Sequence, residues 1–338
     1  MREDRWPSLP SRVDIAKQLA LAGLEVMRGL NPVRRIRKAL RLLSAAPLAP
    51  SKPDRDLLEP AFRALRPLAR SEPHHPLCLF VTFASDGRPW AHSLRYCADL
   101  RRLGLKLVLI LVTDRPDVQG LDPGPEVADA VMVRENHGYD FAAWARALQD
   151  RPDLLDAPEV WFVNDSVYHS SAALEAMARR VRASTADVIA LTESAEIRSH
   201  FQSYFFVLRT RALKHARVRA FWAKILSLGG KMEIIRRYEA GQRAMLDEVG
   251  LRIEILFPSP AGAGMNRLHQ GWRGLLDAGF PFVKAEVLRD NPYGADLSGW
   301  RELLDAKGFE VSEVAFHLGA QSDGAAALLE PEKPRLAN

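Results

Sequence analysis

Four short polar clusters hold the residue types that can do chemistry. The first is Arg134-Glu135-Asn136-His137-Gly138-Tyr139-Asp140-Phe141. Asn136 and Asp140 can hydrogen-bond a ribose or a base edge, and Gly138 allows a tight turn or a close backbone approach. Asp140 can equally cap the helix that follows, and the residues leave both readings standing. The second cluster is Asn164-Asp165-Ser166, at the exit of the apolar run Trp161-Phe162-Val163. Three short polar side chains there can reach a cation held on a diphosphate, because Mg²⁺ and Mn²⁺ take oxygen ligands from one or two carboxylates plus substrate phosphates. The same residues can also serve as an N-cap for the helix near Ala172. In the third cluster, His200, Gln202 and Ser203 precede the aromatic run Tyr204-Phe205-Phe206. A lone histidine is ordinarily structural, and this company makes a ligand role its equal. The fourth is Tyr238-Glu239, where Glu239 is either a general base or a plain surface glutamate of a helix, the default reading.

These clusters need a frame that brings them together. Leu77–Phe83 and Leu105–Thr113 are near-continuous apolar runs of strand length, as buried parallel strands require. Further strands are expected at Ala130–Arg134, Val160–Val163, Asp187–Leu191, Tyr204–Leu208 and Arg252–Phe257. Helical spacing marks Trp90–Leu103, Phe141–Leu148, Ala172–Val181, Arg211–Leu226 and Met232–Val249, with shorter helices at Ala61–Ala69 and around Gly271–Ala278. Strands alternating with helices predict βαβ units and a mostly parallel sheet. In such sheets ligands bind beyond the carboxyl ends of the strands, where the first two clusters fall; the third lies at the start of the strand Tyr204–Leu208. The rest of 258–300 reads as loop.

Composition sets the outer bounds. The chain has 338 residues, 47% apolar and 26% charged, enough to bury a full core. No uncharged apolar run approaches the ~18 residues of a membrane span. Cys78 and Cys97 are too few for a disulfide framework or a four-cysteine zinc site, and read as buried reduced thiols. The charged N-terminus MREDRWPSLPSR does not read as a secretory signal. Residues 1–75 carry 15 Lys+Arg against 8 Asp+Glu, so the net +5 of the chain belongs to its first quarter. Within it, Arg34, Arg35, Arg37, Lys38 and Arg41 alternate with Val33, Ile36, Leu40 and Leu43 at helical spacing. A basic helix over 15–43 either packs on the body with a solvated face or lies on an anionic membrane surface. No nucleic-acid motif accompanies it, so nucleic acid is not an expected partner. The proline-rich stretch 44–60 reads as a linker. The expected organisation is a basic helical extension with its linker over 1–72, a catalytic body over 73–315, and a flexible tail over 316–338.

The dinucleotide fingerprint, the P-loop, the G-x-S-x-G elbow and H-E-x-x-H are all missing from the sequence. What is present, in order, is Glu135-Asn136-His137-Gly138-Tyr139-Asp140-Phe141, Asn164-Asp165-Ser166-Val167-Tyr168, Leu191-Thr192-Glu193-Ser194 and His200-Phe201-Gln202-Ser203-Tyr204-Phe205. Phe221-Trp222, Tyr238-Glu239 and Pro281-Phe282-Val283-Lys284 follow. Each motif is short; their joint order over residues 75–295 resembles the rhamnan synthesis protein F family of bacterial polysaccharide-assembly glycosyltransferases.

That resemblance implies an α/β fold of the GT-A type, a Rossmann-like sheet flanked by helices. It implies transfer of a hexose from a nucleotide-sugar donor, dTDP-rhamnose being one candidate, to a surface glycan or a lipid-linked glycan. The work would be done in the cytoplasm, or at the inner face of the cell membrane. It implies donor contacts from Asn136, Gly138, Tyr139, Asp140, Asn164, Ser166, Gln202 and Lys284. Glu239 would serve as base in an inverting reaction. Asp165 would meet a Mg²⁺ or Mn²⁺ ion or the donor itself, and His200 and Lys284 would stabilise the departing diphosphate. Two departures stand out. The Asn164-Asp165-Ser166 stretch carries one carboxylate where such enzymes have D-x-D, which puts the metal in question. Tyr139 replaces the arginine of many relatives, removing a phosphate contact. The single carboxylate also motivates an alternative, a non-catalytic nucleotide- or glycan-binding member of an assembly complex.

Overall fold

The computed structural model describes residues 59–69, 74–195, 199–259, 266–321 and 325–329. The basic helix expected over 15–43 and most of the proline-rich stretch 44–60 lie outside these residues.

The strands are β1 (Phe62–Arg66), β2 (Leu77–Phe83), β3 (Lys106–Thr113), β4 (Ala130–Glu135), β5 (Glu159–Asn164), β6 (Val167–His169), β7 (Val188–Ala190), β8 (Glu193–Ser194), β9 (His200–Phe201), β10 (Phe205–Arg209), β11 (Ile253–Ile255) and β12 (Phe282–Lys284). Eight of them form one sheet in the order β1-β4-β3-β2-β5-β10-β7-β11. The β4-β3-β2-β5 block is parallel throughout. β1 and β10 run against their neighbours, and β11 pairs parallel with β7. Six strands therefore point one way, and the expected mostly parallel α/β sheet is what forms.

Alternation along the central strands explains the layering. Leu77, Leu79, Val81, Val108, Ile110 and Phe162 face one core, shared with helices α2 (Tyr139–Asp150) and α5 (Ala216–Ala223). There Trp222 stacks on Phe162 with ring centroids 4.8 Å apart and planes at 4°. Cys78, Phe80, Leu107, Leu109 and Trp161 face the opposite core, under α1 (Ala91–Arg102) and α3 (Ser171–Ala183). Both cysteines are free and buried in that second core, as expected, and burial raises both thiol pKa values.

The helix expected at Ala61–Ala69 is instead the edge strand β1, antiparallel to β4. Its local sequence suits a helix, but pairing overrides propensity. Phe62 and Leu65 pack into different cores, and the Arg66 guanidinium is clamped on Asp122 at 2.9 and 2.8 Å. The region 258–300 is also more ordered than expected. β12 pairs antiparallel with β6, setting Phe282 opposite His169 and Lys284 opposite Val167. With α8 (Trp272–Asp277), α9 (Ala285–Arg289), α10 (Trp300–Ala306), α11 (Val311–Gln321) and α12 (Ala326–Leu329), this ribbon builds a third core around Tyr168, Trp272, Trp300 and Leu318. The flexible tail expected from 316 gives way here: 316–321 complete α11, and Ala325 and Ala327 are fully buried.

The segment expected as one helix over Arg211–Leu226 divides into α4 (Thr210–Leu213) and α5, with His215 at the N-cap of α5. The next one, Met232–Val249, holds α6 (Lys231–Ile234), a π-helical turn at Ile235–Glu239 and α7 (Ala240–Glu248). Among the described residues, no helix is long and apolar enough to cross a membrane.

Candidate functional site

The parallel block delivers its strand ends to one edge. Val81 pairs with Asn164, and Thr113 with Glu135. Just past these positions lie the loops Asn136–Gly138 and Asp165–Ser166.

Asp165 is held by three donors. Its Oδ2 accepts hydrogen bonds from the Thr82 hydroxyl at 2.5 Å, the Phe83 N–H at 3.2 Å and the Ser93 hydroxyl at 3.3 Å. All three donors reach the same oxygen. Burial, and next the charge of Asp140, push its pKa from 3.8 to about 6, although the three donors pull the other way. Neither Thr82 nor Ser93 was legible as part of the site. Both lie in apolar or amphipathic stretches, and only the β2–β5 register brings Thr82 beside Asp165.

Asn164 joins two loops. Its amide donates to Asp140 Oδ2 at 2.7 Å, and its Oδ1 accepts from the Ser166 N–H at 3.1 Å and the Ser166 hydroxyl at 2.7 Å. The capping readings fall here. Asp140 sits in the first turn of α2, whose N-cap position is Gly138 with no side-chain cap. Strand β6 separates Asn164-Asp165-Ser166 from α3, where Ser170 holds the N-cap position.

The Asn136–Tyr139 turn is held from beneath. Arg134 is 1% exposed; its guanidinium donates to the carbonyls of Glu135 and His137 and, at 2.5 Å, to the Ser227 hydroxyl. Burial lowers its pKa to about 10, so it stays charged. Gly138 has φ +87°, and a Cβ there would lie 2.8 Å from both Ala142 Cβ and Ser227 Cα, so no other residue fits. Tyr139 is also left-handed, φ 57°, a conformation uncommon for a side-chain-bearing residue, and its ring is 48% exposed. Asn136 is exposed and donates to Asp114 Oδ1 at 2.8 Å.

The third cluster arrives from the antiparallel strand. Asn164 N–H donates to the Tyr204 carbonyl at 3.1 Å, which places 202–204 beside the Asp165 loop. Gln202 is buried, its Oε1 accepting from Thr192, whose hydroxyl also meets Tyr204 OH at 2.9 Å. His200 is buried in β9, opposite Ser194. Both therefore support the loop from inside. Glu239, at the end of the π turn, accepts the Ser203 N–H on Oε1 at 2.7 Å; it is half-buried, not the exposed helix residue of the default reading. Lys284 comes within reach of the loop through β12, and the N–H of the next residue, Ala285, donates to the Ser166 carbonyl at 2.9 Å.

Among the described residues no group of three or more His, Cys, Asp or Glu is arranged to hold a metal. The donor set at this edge is Asp165 with Asp140 across from it. Two carboxylates fit a divalent cation that brings most of its ligands with it, and do not form a protein cage.

Fold and loops together define an α/β protein with polar loops gathered at the carboxyl ends of its parallel strands, where ligands bind in such sheets. The sequence profile of rhamnan synthesis protein F matches residues 115–292, more than half of the chain, and the chain belongs to that family. It is also 25% identical over 204 residues to virulence protein VirA of Vibrio anguillarum, covering 50% of this chain and 65% of VirA. A protein of Sinorhizobium fredii, y4gN, is 26% identical over 137 residues, covering 39% of this chain and 36% of its own length. Solved structures with some likeness include an inositol-1-phosphate CTP transferase from T. maritima, at TM-score 0.32 and 11% identity over 56% of this chain and 92% of that one. A glycosyltransferase involved in glycosylation of the major capsid of PBCV-1 has TM-score 0.31 and 8% identity, covering 62% and 94%.

Proposed function

We propose that the protein is a nucleotide-sugar-dependent glycosyltransferase of polysaccharide synthesis, moving a hexose, rhamnose being the first candidate, onto a glycan or lipid-linked glycan acceptor. Membership of the rhamnan synthesis family supports a polysaccharide-synthesis transferase. The observation that carries the finer reading is the Asn164–Asp140 bond of 2.7 Å, which closes two strand-end loops around Asp165. A half-buried carboxylate whose charge is opposed by a second one is relieved by a cation or by donors on a ligand.

In this reading Asn136, Tyr139 and the Gly138 turn receive the nucleoside, while Asp165 and Asp140 meet the diphosphate through a Mg²⁺ or Mn²⁺ ion travelling with it. Such an ion would supply charge neutralisation for the leaving diphosphate, with Lys284 as a cation near the same loop. Asn164 and Ser166 hold Asp165 in place. Gln202 and His200 keep the 200–204 loop in register. Glu239 is the base candidate for the acceptor hydroxyl; its hold on the Ser203 N–H fixes one oxygen and leaves the other for a proton.

Calorimetric titration with UDP, GDP and dTDP, each with Mg²⁺, tests this reading. At least one should bind, and Asp140→Ala and Asp165→Ala should each abolish that binding. Unchanged binding in both variants would show that the nucleotide goes elsewhere. A second reading, a binding member of an assembly complex without turnover, is favoured by the single carboxylate of the Asn164–Ser166 loop. Release of free nucleoside diphosphate from a nucleotide-sugar panel supports the enzyme; tight binding with no release supports the alternative.

A further inference from the structure

A short strap lies between the turn proposed for the nucleoside and Glu239. It is formed by residues 226–229, which join α5 to α6 without helix or strand. Ile225 and Leu228 are buried and keep it on the body, while Leu226 is 51% exposed. Among the described residues, the hydrogen bonds of the strap go to two side chains. The Tyr238 hydroxyl takes both backbone groups of Leu226, accepting its N–H at 2.9 Å and donating to its carbonyl at 3.2 Å. The Ser227 hydroxyl accepts from the Arg134 guanidinium at 2.5 Å.

One end of the strap bears on the Asn136–Tyr139 turn. The same guanidinium donates to the carbonyls of Glu135 and His137. A Cβ on Gly138 would lie 2.8 Å from Ser227 Cα, and one on Gly229 would lie 3.9 Å from His137 Cε1. Backbone rests on backbone there, so the turn cannot move toward the strap without displacing it.

The other end bears on the π turn. Tyr238 is 3% exposed, and its ring lies against Phe141 and Phe221 with centroids 6.0 and 6.4 Å away. A residue needed only to fill this space requires no hydroxyl, since phenylalanine has the same ring. Yet the hydroxyl makes two bonds, and both are to the strap. Glu239 is the next residue of the π turn, and its Oε1 accepts the Ser203 N–H at 2.7 Å. The two residues share a peptide unit, so fixing Tyr238 fixes the direction in which the Glu239 side chain leaves the backbone.

We infer that Tyr238 is a positioning residue for Glu239, tying that carboxylate through the strap to the state of the nucleotide turn. A ligand seated on the turn removes freedom from it, from the strap packed on it, and so from Tyr238 and Glu239. The bonds of this tie are already formed in the structure. The nucleotide therefore acts by suppressing their opening, and cutting the tie leaves nucleotide affinity nearly unchanged. The inference rests on the glycosyltransferase reading and adds how the base is kept in place while the donor is bound.

The test uses the full chain with and without saturating UDP, GDP or dTDP, whichever binds, in the presence of Mg²⁺. Amide exchange at Ser203 is followed by mass spectrometry on peptides covering 200–206. Turnover is followed as nucleoside diphosphate released from a nucleotide-sugar panel. In wild type the nucleotide should slow exchange at Ser203. Tyr238→Phe keeps the ring and removes the hydroxyl. It should bind the nucleotide as wild type does, and exchange Ser203 at a rate that no longer responds to it. It should also lose about 10- to 100-fold in kcat with the donor KM unchanged. Ser227→Ala cuts the tie at its other end and should likewise abolish the response of Ser203 at saturating nucleotide. A wild-type exchange rate that ignores the nucleotide, or a response that survives in Tyr238→Phe or in Ser227→Ala, overturns the inference. So does a Tyr238→Phe protein with normal kcat, or one in which kcat and nucleotide affinity fall together, the pattern of a hydroxyl that only supports the fold. Failure of wild type to bind any nucleoside diphosphate, or to release one from any donor, is the separate result that removes the underlying reading.

Discussion

Asp165→Asn separates two things done by one carboxylate. Burial and the neighbouring Asp140 hold the Asp165 pKa at about 6 instead of 3.8. Below pH 3.8 the group is neutral in folded and unfolded chains, and the perturbation contributes nothing. As pH rises from 3.8 to about 6 the unfolded chain ionises first, so stability falls; above about 6 the full penalty stands. At about 1.4 kcal/mol per pH unit the penalty approaches ~3 kcal/mol, and solvent around a half-buried group brings it nearer ~2. Asparagine keeps an oxygen for the Thr82, Phe83 and Ser93 donors and removes the charge opposing Asp140. At pH 7.5, in the absence of divalent cations, the variant should therefore melt about 3 °C above wild type. Its advantage should shrink to about a third at pH 4.5, where only part of the penalty has developed. The same variant should lose nucleoside diphosphate affinity. Urea and thermal unfolding at the two pH values, paired with calorimetry, measure both effects. A variant no more stable than wild type at pH 7.5, or stabilised equally at both pH values, would refute the claim that the fold holds this carboxylate against its preference.

Gly138→Ala should destabilise by more than about 2 kcal/mol, seen as a lower urea midpoint, because the new methyl meets backbone at Ser227 and the left-handed φ is lost to it. Trp222→Ala removes the ring stacked on Phe162 and should cost about 3–5 kcal/mol in the same assay. Glu239→Gln should bind nucleoside diphosphate normally, since an amide oxygen still accepts the Ser203 N–H, yet lose about 10²- to 10⁴-fold in turnover; near-normal turnover would leave Glu239 a loop brace alone. Deletion of residues 1–45 should leave circular dichroism and melting of the body intact while weakening binding to anionic vesicles, by about 1 kcal/mol for each basic residue that reaches the surface. Equal vesicle binding by the full and shortened chains would rule out that contact.

The parts of the fold that could be read in advance are those where one physical signal dominates. β2 and β3 are apolar on both faces because helices cover both faces, and no other element gives runs like LCLFVTF and KLVLILVT. The loops at their ends followed from strand polarity alone. What could not be read depends on contacts distant in sequence. β1 is a strand only because β4 offers an edge. β6 and β12 have three residues each, too short for periodicity, and neither forms without the other, more than a hundred residues away. Thr82, Ser93 and Arg134 belong to the site through register and burial, which no local pattern encodes. Gln202 and Glu239 stood out by residue type, but their observed bonds, to Thr192 and to the Ser203 N–H, are internal.

The π turn at Ile235–Glu239 has a consequence for how this edge of the site can change. Such a turn holds one more residue than the α-helical path it replaces. Excising a single residue from it would let Lys231–Glu248 wind as one regular helix, with intact hydrogen bonds and little damage to the fold. The segments on the two sides would keep their relative placement, because the turn had absorbed the extra residue, while residues within the turn would each shift by about 100° around the axis. Tyr238, whose hydroxyl now receives the Leu226 N–H at 2.9 Å, and Glu239, which holds Ser203, could not both keep their places. A one-codon deletion is thus a small genetic step that would silence the carboxylate without unfolding the chain, and a one-codon insertion into a regular helix is the equally short route by which such a group could be gained.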